Sequence, residues 1–415
     1  MKIQNVGIDA SSTKVKNRTV VILILGILSA IIPLSIDMYL PGFPVIAGYF
    51  STSVDKVSYS LASFFIGICL GQLIAGPLID RFGRKKPLYF GLAGFLLATI
   101  GCSVAPSMDM LIALRFIQAI GGCVTMVAPR AIVRDIFPLD ENAKIFSVLI
   151  LVLSVSPLLA PTIGTIIITS MGWKFIFIFL AIIVSLVFIA IILWLPESKK
   201  ADTSVLIQPK FILEKYRDVL KNPTFYTYAI SGAISFAGLF AYLSGSPFVF
   251  MRIYNVSQQQ YGIIFAVIAI GLTVSSQLNS ILLRRYQSEQ IMRFFIYVQA
   301  ALGLLLFTGT MTGMMDLYST ITLIFLFLSC QGFCFPNSSA LAMAPFTKEA
   351  GSASALLGAL QMGFGALAAG LVGFLSPTSA APMAAVMFGF TLVSLAIILI
   401  GSKANFYKSP QPVLS

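Results

Sequence analysis

Gly76-Pro77-Leu78-Ile79-Asp80-Arg81-Phe82-Gly83-Arg84-Lys85-Lys86 is an abrupt change of chemistry in an otherwise oily chain. Apolar sequence runs up to it from Val57 and away from it from Leu88; between them stand one acid, four bases and two glycines. Gly76 would let helices approach closely, Gly83 would supply a tight turn, and the basic cluster would anchor that turn at a lipid surface. Asp80, near the membrane edge, suits capping a helix N-terminus or pairing with a neighbouring Arg. A basic turn between two long apolar runs predicts a pair of membrane-spanning helices, and the rest of the chain can be measured against it.

Hydrophobic residues make up 58% of the 415 and charged residues 10%, where a soluble domain carries about 25% charged. Composition thus argues against a soluble enzyme and against a nucleic-acid partner. The net charge of +12, from 27 Lys+Arg against 15 Asp+Glu, reads as membrane orientation. Histidine is absent, which removes imidazole acid/base chemistry, His-ligated metals and His-based nucleophile pairs. Cys69, Cys102, Cys123, Cys330 and Cys334 lie in apolar stretches without a CxxC spacing and read as small packing residues. No metal and no cofactor is expected.

A hydrocarbon core about 30 Å thick needs roughly 20 apolar residues per helix. That ruler gives twelve spans. The first six cover 20–40, 57–79, 88–104, 110–133, 143–169 and 174–195. The second six cover 225–250, 261–283, 291–311, 318–343, 352–374 and 382–400. The fold class expected is an all-α polytopic membrane protein of two pseudo-symmetric six-helix bundles. Residues 1–195 form the first bundle with its tail, 196–222 a central loop, 223–402 the second bundle and 403–415 a closing tail. A short surface helix is expected over Phe211–Leu220. The first apolar stretch contains Pro33 and Asp37 and lacks a small-x-small cleavage site, so it reads as a retained span. Of the 27 basic residues, 23 fall on the side of the N-terminus, Lys56, Lys174 and Arg252 opposite, and Arg115 within a span. That asymmetry puts both termini in the cytoplasm.

The Gly-x-x-x-Asp-Arg-x-Gly-Arg-Lys spacing after the second span resembles the signature loop of the major facilitator superfamily, and the six-plus-six layout extends the likeness over essentially the whole chain. The resemblance implies a charge-linked latch of Gly76, Asp80, Arg81, Gly83 and Arg84, with Asp135 as a further member, stabilising the outward-open state. Leu282-Leu283-Arg284-Arg285-Tyr286 in the second half keeps the charge without the Gly or Asp, so the latch is one-sided. Arg115-Phe116-Ile117-Gln118-Ala119-Ile120-Gly121-Gly122 resembles the superfamily's Arg-x-x-Gln-Gly segment, with Ala119 replacing the usual Gly. Pro157-Leu158-Leu159-Ala160-Pro161-Thr162-Ile163-Gly164 is similar to the antiporter segment of drug:proton exporters, implying a hinge at Pro157, Pro161 and Gly164; Ala160-Pro161 stands for the usual Gly-Pro. Pro33-Leu34-Ser35-Ile36-Asp37-Met38-Tyr39-Leu40-Pro41 and Arg130-Ala131-Ile132-Val133-Arg134-Asp135 look like the bicyclomycin-resistance (Bcr/CflA) exporters. The likeness implies a monomer of the bacterial inner membrane that exports small organic compounds against inward proton flow.

Among the 15 acids, Asp37 alone lies inside a span. A carboxylate in hydrocarbon is costly and must face protein or water. At 1.5 Å per residue, Asp37 lies about 25 Å along the first span and Arg115 roughly 8 Å from the outer end of the fourth. Arg115 shares a stripe with Gln118, Gly122, Thr125 and Pro129. The expectation is that both line one cavity, Asp37 taking the proton and Arg115 tuning it; an Arg tied down by backbone carbonyls is the structural alternative. Tyr39, Gln118, Met126, Tyr228, Ser235, Tyr242, Gln277, Gln331, Asn337 and Gln361 are the expected cavity residues. Aromatic and amide groups suit weakly specific binding of drug-sized amphiphiles, though they also serve ordinary interhelical bonding. The rival readings are a proton-coupled importer or facilitator of a nutrient and a membrane-embedded enzyme. An enzyme would need a catalytic constellation, and none is visible. A channel would need a charged ring or filter repeat, and ATP-driven transport a phosphate-binding glycine loop.

Overall fold

The computed structural model describes residues 17–202, 209–346, 350–375 and 379–406; the N-terminal tail up to residue 16 and the last nine residues of the closing tail lie outside them. Apolar runs in hydrocarbon must satisfy their own backbone, and a helix does so within itself. The chain forms α1 (Arg18–Asp37), a 3₁₀ turn (Leu40–Gly42), α2 (Phe43–Tyr49), α3 (Val54–Phe82), α4 (Lys85–Ser103), α5 (Met108–Ile136), α6 (Leu139–Met171) and α7 (Lys174–Trp194). After α8 (Pro209–Leu220) come α9 (Pro223–Phe248), a π turn (Val249–Ile253), α10 (Gln258–Leu282), α11 (Ser288–Met311), α12 (Leu317–Met343), α13 (Ala350–Phe374) and α14 (Ala381–Phe406). Counting Arg18–Tyr49 as one, twelve among the described residues are long and apolar enough to cross a membrane. They begin where a polar side chain can receive the first free N–H groups. Ser53 caps α3, Ser107 α5, Asn222 α9 and Asp316 α12, while Ser257 and Gln260 form a reciprocal box on α10.

In the first half α5 packs between α3 and α4, α4 reaches α7, and α1 lies on α6 and α5. In the second, α9 packs on α12, α13 and α14, and α12 lies between α10 and α11. The halves meet along α3 with α13 and α6 with α10. At the end of the molecule away from the termini, side chains of one half reach backbone of the other. Ser58 Oγ donates to the Ser244 carbonyl (3.2 Å), Gln258 Nε2 to that of Pro41 (3.3 Å) and Thr165 Oγ1 to that of Gln258 (3.3 Å). This far end is therefore closed.

At the termini end, α8 takes the place of the expected surface helix and lies over the seam. Val219 and Tyr216 are buried in an apolar cluster with Phe225, Leu356 and Leu357 of the second half. The Tyr216 hydroxyl crosses to the first half and donates to the Leu73 carbonyl of α3 (2.7 Å). Burial pushes this phenol up to about 12, so it remains a donor at any working pH. Tyr216→Phe keeps the ring and loses the bond; about 1 kcal/mol of stability should go with it, measurable as a lower unfolding temperature of the detergent-solubilised protein.

Candidate functional site

Arg115 on α5 is fully buried. Nη1 donates to Gln118 Oε1 (2.7 Å) and Nη2 to the Ser35 carbonyl of α1 (3.1 Å). Gln118 Nε2 in turn donates to Thr99 Oγ1 on α4 (2.7 Å), so one guanidinium joins three helices. The Ser35 carbonyl is free because α1 ends there: the Tyr39 N–H bonds the Ile36 carbonyl instead of Ser35's. Three rings enclose the cation, with centroids at 4.0 Å (Phe64), 4.9 Å (Tyr39) and 6.0 Å (Phe177). Tyr39 is itself held by Ser60 (2.9 Å). This corrects the expectation of a shared Asp37–Arg115 cavity: Arg115, Gln118 and Tyr39 form a cage inside the first bundle. Depth along a helix sets height but not direction. Asp37 stands two residues past Ser35, roughly 200° further round α1.

Asp37 is the last residue of α1 and is 6% exposed. No ion pair among the described residues includes it. It faces the other bundle, where its charge acts on the phenols of Tyr242 (α9) and Tyr261 (α10). Tyr261 bonds Ser246 (2.9 Å), and the buried Tyr242 hydroxyl lies near the same Ser246 without a well-formed hydrogen bond among the described residues. Gly164 of α6 lies on this same turn; a Cβ there would run into the Met38 carbonyl. A Cβ on Gly262 of α10 would stand 3.7 Å from Thr162 and 3.9 Å from Pro161. The segment from Pro157 to Gly164 thus touches both the Asp37 turn and the opposite bundle. Tyr261 was not among the expected residues, and nothing in its local sequence separates it from an ordinary buried aromatic.

The second bundle holds a neutral counterpart of the Arg115 cage. Ser235 Oγ donates to Gln299 Oε1 (2.9 Å), and Gln331 Nε2 donates to the Ser235 carbonyl (2.6 Å). These residues stand on α9, α11 and α12, the first, third and fourth spans of their half, as Ser35, Thr99 and Arg115 do in theirs. Asn337 donates to Asn279 of α10 (2.6 Å). Gln299 and Asn279 were missed, although a lone amide in an apolar run, the signal used for Gln331, marks Gln299 equally. Gln277 is exposed, two residues and roughly half a turn from Asn279, and lies outside this buried network. Tyr228 is buried in the apolar cluster under α8 and Gln361 is buried on α13. Met126, half-buried, receives a weak bond from Gln72 Nε2 (3.6 Å); the buried Gln72 Oε1 has no partner and abuts Gly358 of α13.

The signature loop closes around Arg84, 5% exposed. Its Nε donates to Asp135 (2.6 Å) and its Nη1 to Asp80 (2.8 Å). Burial works against the guanidinium charge, but hydrogen bonds and charge from Asp135 and Asp80 outweigh it and hold the group above its ordinary value. Gly83 makes the turn at φ +84°, a region open chiefly to glycine. Glu197, at the start of the central loop, accepts the Arg84 and Lys85 N–H groups (2.7 and 3.2 Å). Ser198 donates to Asp135 (3.1 Å), and Lys199 lies 3.8 Å from Asp80. Glu197 therefore caps α4, the role considered for Asp80. Arg81 lies over the Phe82 ring (5.9 Å). Gly76 does not serve a close approach, since a Cβ there would meet nothing within 4 Å. The tight α3–α5 contacts fall earlier, where a Cβ on Gly67 would come within 2.6 Å of the Phe116 carbonyl. The charge cluster around Arg84 is formed while the far end is closed.

Comparison with known proteins gives one consistent answer. A family model described as Major Facilitator Superfamily matches residues 25–370. The chain is 35% identical to the uncharacterized MFS-type transporter YdgK of Bacillus subtilis, over 90% of this chain and 93% of that one. It is 30% identical to a bicyclomycin resistance protein homolog of Haemophilus influenzae, over 92% and 95%. Its fold matches a bacterial homolog of the human lysosomal transporter Spinster in an inward-facing, unoccupied conformation, with TM-score 0.75, 15% identity and 95% and 99% coverage.

Two outcomes follow from the geometry. Arg84→Ala leaves Asp135 and Asp80 without their buried partner and should cost on the order of 3 kcal/mol, read as a large drop in unfolding temperature. Arg115→Lys cannot span both Gln118 and the Ser35 carbonyl. It should lose about 2 kcal/mol while any remaining transport keeps its dependence on the proton gradient.

Proposed function

Because this chain belongs to the major facilitator superfamily, we propose that it exports small, drug-like organic compounds across a bacterial plasma membrane in exchange for protons, with Asp37 carrying the proton. The protein is a multi-pass membrane transporter. The observation that supports the exchange is a buried carboxylate at the seam of two bundles with no ion-pair partner among the described residues. An unpaired charge cannot be closed away from water cheaply. The seam around Asp37 therefore closes only when the acid is protonated or when a polar or cationic guest answers its charge. The empty, deprotonated carrier stays open, and rocking of one bundle against the other is restricted to the proton-loaded and guest-loaded forms. That restriction is exchange.

The direction follows from the basic side of the chain. With 23 of the 27 Lys/Arg on the side of the termini, that side is the cytoplasm and the closed far end is the outside. In this reading Asp37 exchanges its proton with the cytoplasm when the termini side opens, and a guest enters there as the proton leaves. Tyr242, whose phenol lies within electrostatic reach of Asp37, would answer the acid from across the seam. One chain holds both bundles and the whole path, so it works as a monomer, without a nucleic-acid partner and without a chemical step on its substrate. The name of the Haemophilus relative favours antibiotics among the compounds carried.

A susceptibility panel in an exporter-deficient host first identifies a transported compound. Everted vesicles then measure its uptake against an imposed pH gradient. Asp37→Asn should lower gradient-driven accumulation at least tenfold while the protein inserts normally. Undiminished accumulation in that variant overturns the assignment, and accumulation under the opposite gradient reverses the direction.

A further inference from the structure

The uncovered side of α8 has a composition that neither the seam nor the exchange uses. Its buried face, Ile212, Tyr216 and Val219, closes on the second bundle. A second apolar stripe remains open: Leu213 is 69% and Leu220 38% exposed. Their spacing of seven puts them on one line of the helix. Exposed Lys210 and Arg217 stand three residues before Leu213 and Leu220 and border the same line, with exposed Glu214 between the two bases, so the face keeps a net positive charge of one. Other bases of the segment are engaged, Lys221 with Asp218 (2.7 Å) and Lys215 over the Phe211 ring (4.7 Å).

Leucines held out between cations are unfavourable in water but fit the headgroup layer of a bilayer, where apolar side chains sink and basic ones meet phosphate. The helix also sits at the right height. Tyr216 bonds Leu73, nine residues from the end of α3 and so about 13 Å along it at 1.5 Å per residue. We propose that the Lys210–Leu213–Arg217–Leu220 face binds anionic phospholipid, the two bases bracketing the phosphate and the leucines entering the upper acyl layer. Because α8 is bonded to α3 through Tyr216 and packed on α13, the lipid holds the strap that lies across the moving seam. This surface goes beyond the exchange reading and does not depend on it, nor on which side of the membrane is the cytoplasm.

The test is native mass spectrometry of the full chain in micelles doped with equal phosphatidylglycerol and phosphatidylcholine. Wild type should retain phosphatidylglycerol preferentially, and K210Q/R217Q should lower that preference roughly tenfold or more. Leu213→Ser, which keeps both charges, should lower it as well. K215Q removes one charge from a different face and should leave it unchanged. Unaltered preference in K210Q/R217Q, or an equal loss in K215Q, overturns the site in favour of diffuse charge attraction. Gel filtration and unfolding temperature confirm that each variant remains folded.

Discussion

A guanidinium with no accessible surface and no carboxylate beside it is the strictest constraint in this fold. Hydrocarbon gives a bare charge nothing, so the protein must supply the whole solvation shell. Arg115 is met by an amide, a backbone carbonyl and the faces of three rings, with its Nε left without a hydrogen-bond partner among the described residues. The acceptors and rings of that shell come from α1, the turn after it, α3, α5 and α7 of the first bundle. Moving α1 relative to α5 would strip the cation of its carbonyl, and moving α4 would free the Gln118 amide that orients the other acceptor. The bundle therefore moves as one body, which is what a rocking transporter requires of its halves. In the second bundle Ser235, Gln299 and Gln331 join the corresponding helices without a charge. Each amide bond there is of ordinary strength.

The cage also explains where Asp37 can point. Arg115 fixes the Ser35 carbonyl toward the first bundle, and Gly164 lies against Met38. With α1 pinned on both sides of Asp37, the carboxylate turns out of the bundle toward Tyr242 and Tyr261. The acid at the end of α1 is thus turned toward the seam between the bundles, and Arg115 bears on its position through the Ser35 carbonyl.

The sequence was legible wherever length and chemistry coincide. Twelve apolar runs, the basic turn at Gly83–Lys86 and the side on which Lys and Arg collect could be read without coordinates, because hydrocarbon thickness fixes span length. Asp37 and Arg115 were also legible as exceptions within apolar runs. Their relation was not. Height along a helix comes from counting residues, but azimuth depends on how helices pack, and the two groups at similar depth face different partners. Gln277 and Asn279 show the same limit: two residues decide between an exposed amide and a buried one. Glu197 was illegible for another reason. Its role as the cap of α4 is a contact across more than a hundred residues, and no local pattern announces it.

The polar bonds across the far end of the seam are weak by comparison. At the far end the bundles are joined by single hydrogen bonds to the Ser244, Pro41 and Gln258 carbonyls, each worth on the order of 1 kcal/mol. Inside the first bundle a buried ion pair and a buried cation's entire shell would have to be broken. The difference decides which surfaces part. Binding of one small molecule supplies several kcal/mol even at modest affinity, enough to open the seam and too little to unmake the cage. Gly164 and Gly262 mark the two sides of α6 along which that separation runs. α6 is pressed on α1, where Gly164 leaves no room for a side chain, and meets α10 at Gly262 only at van der Waals distance.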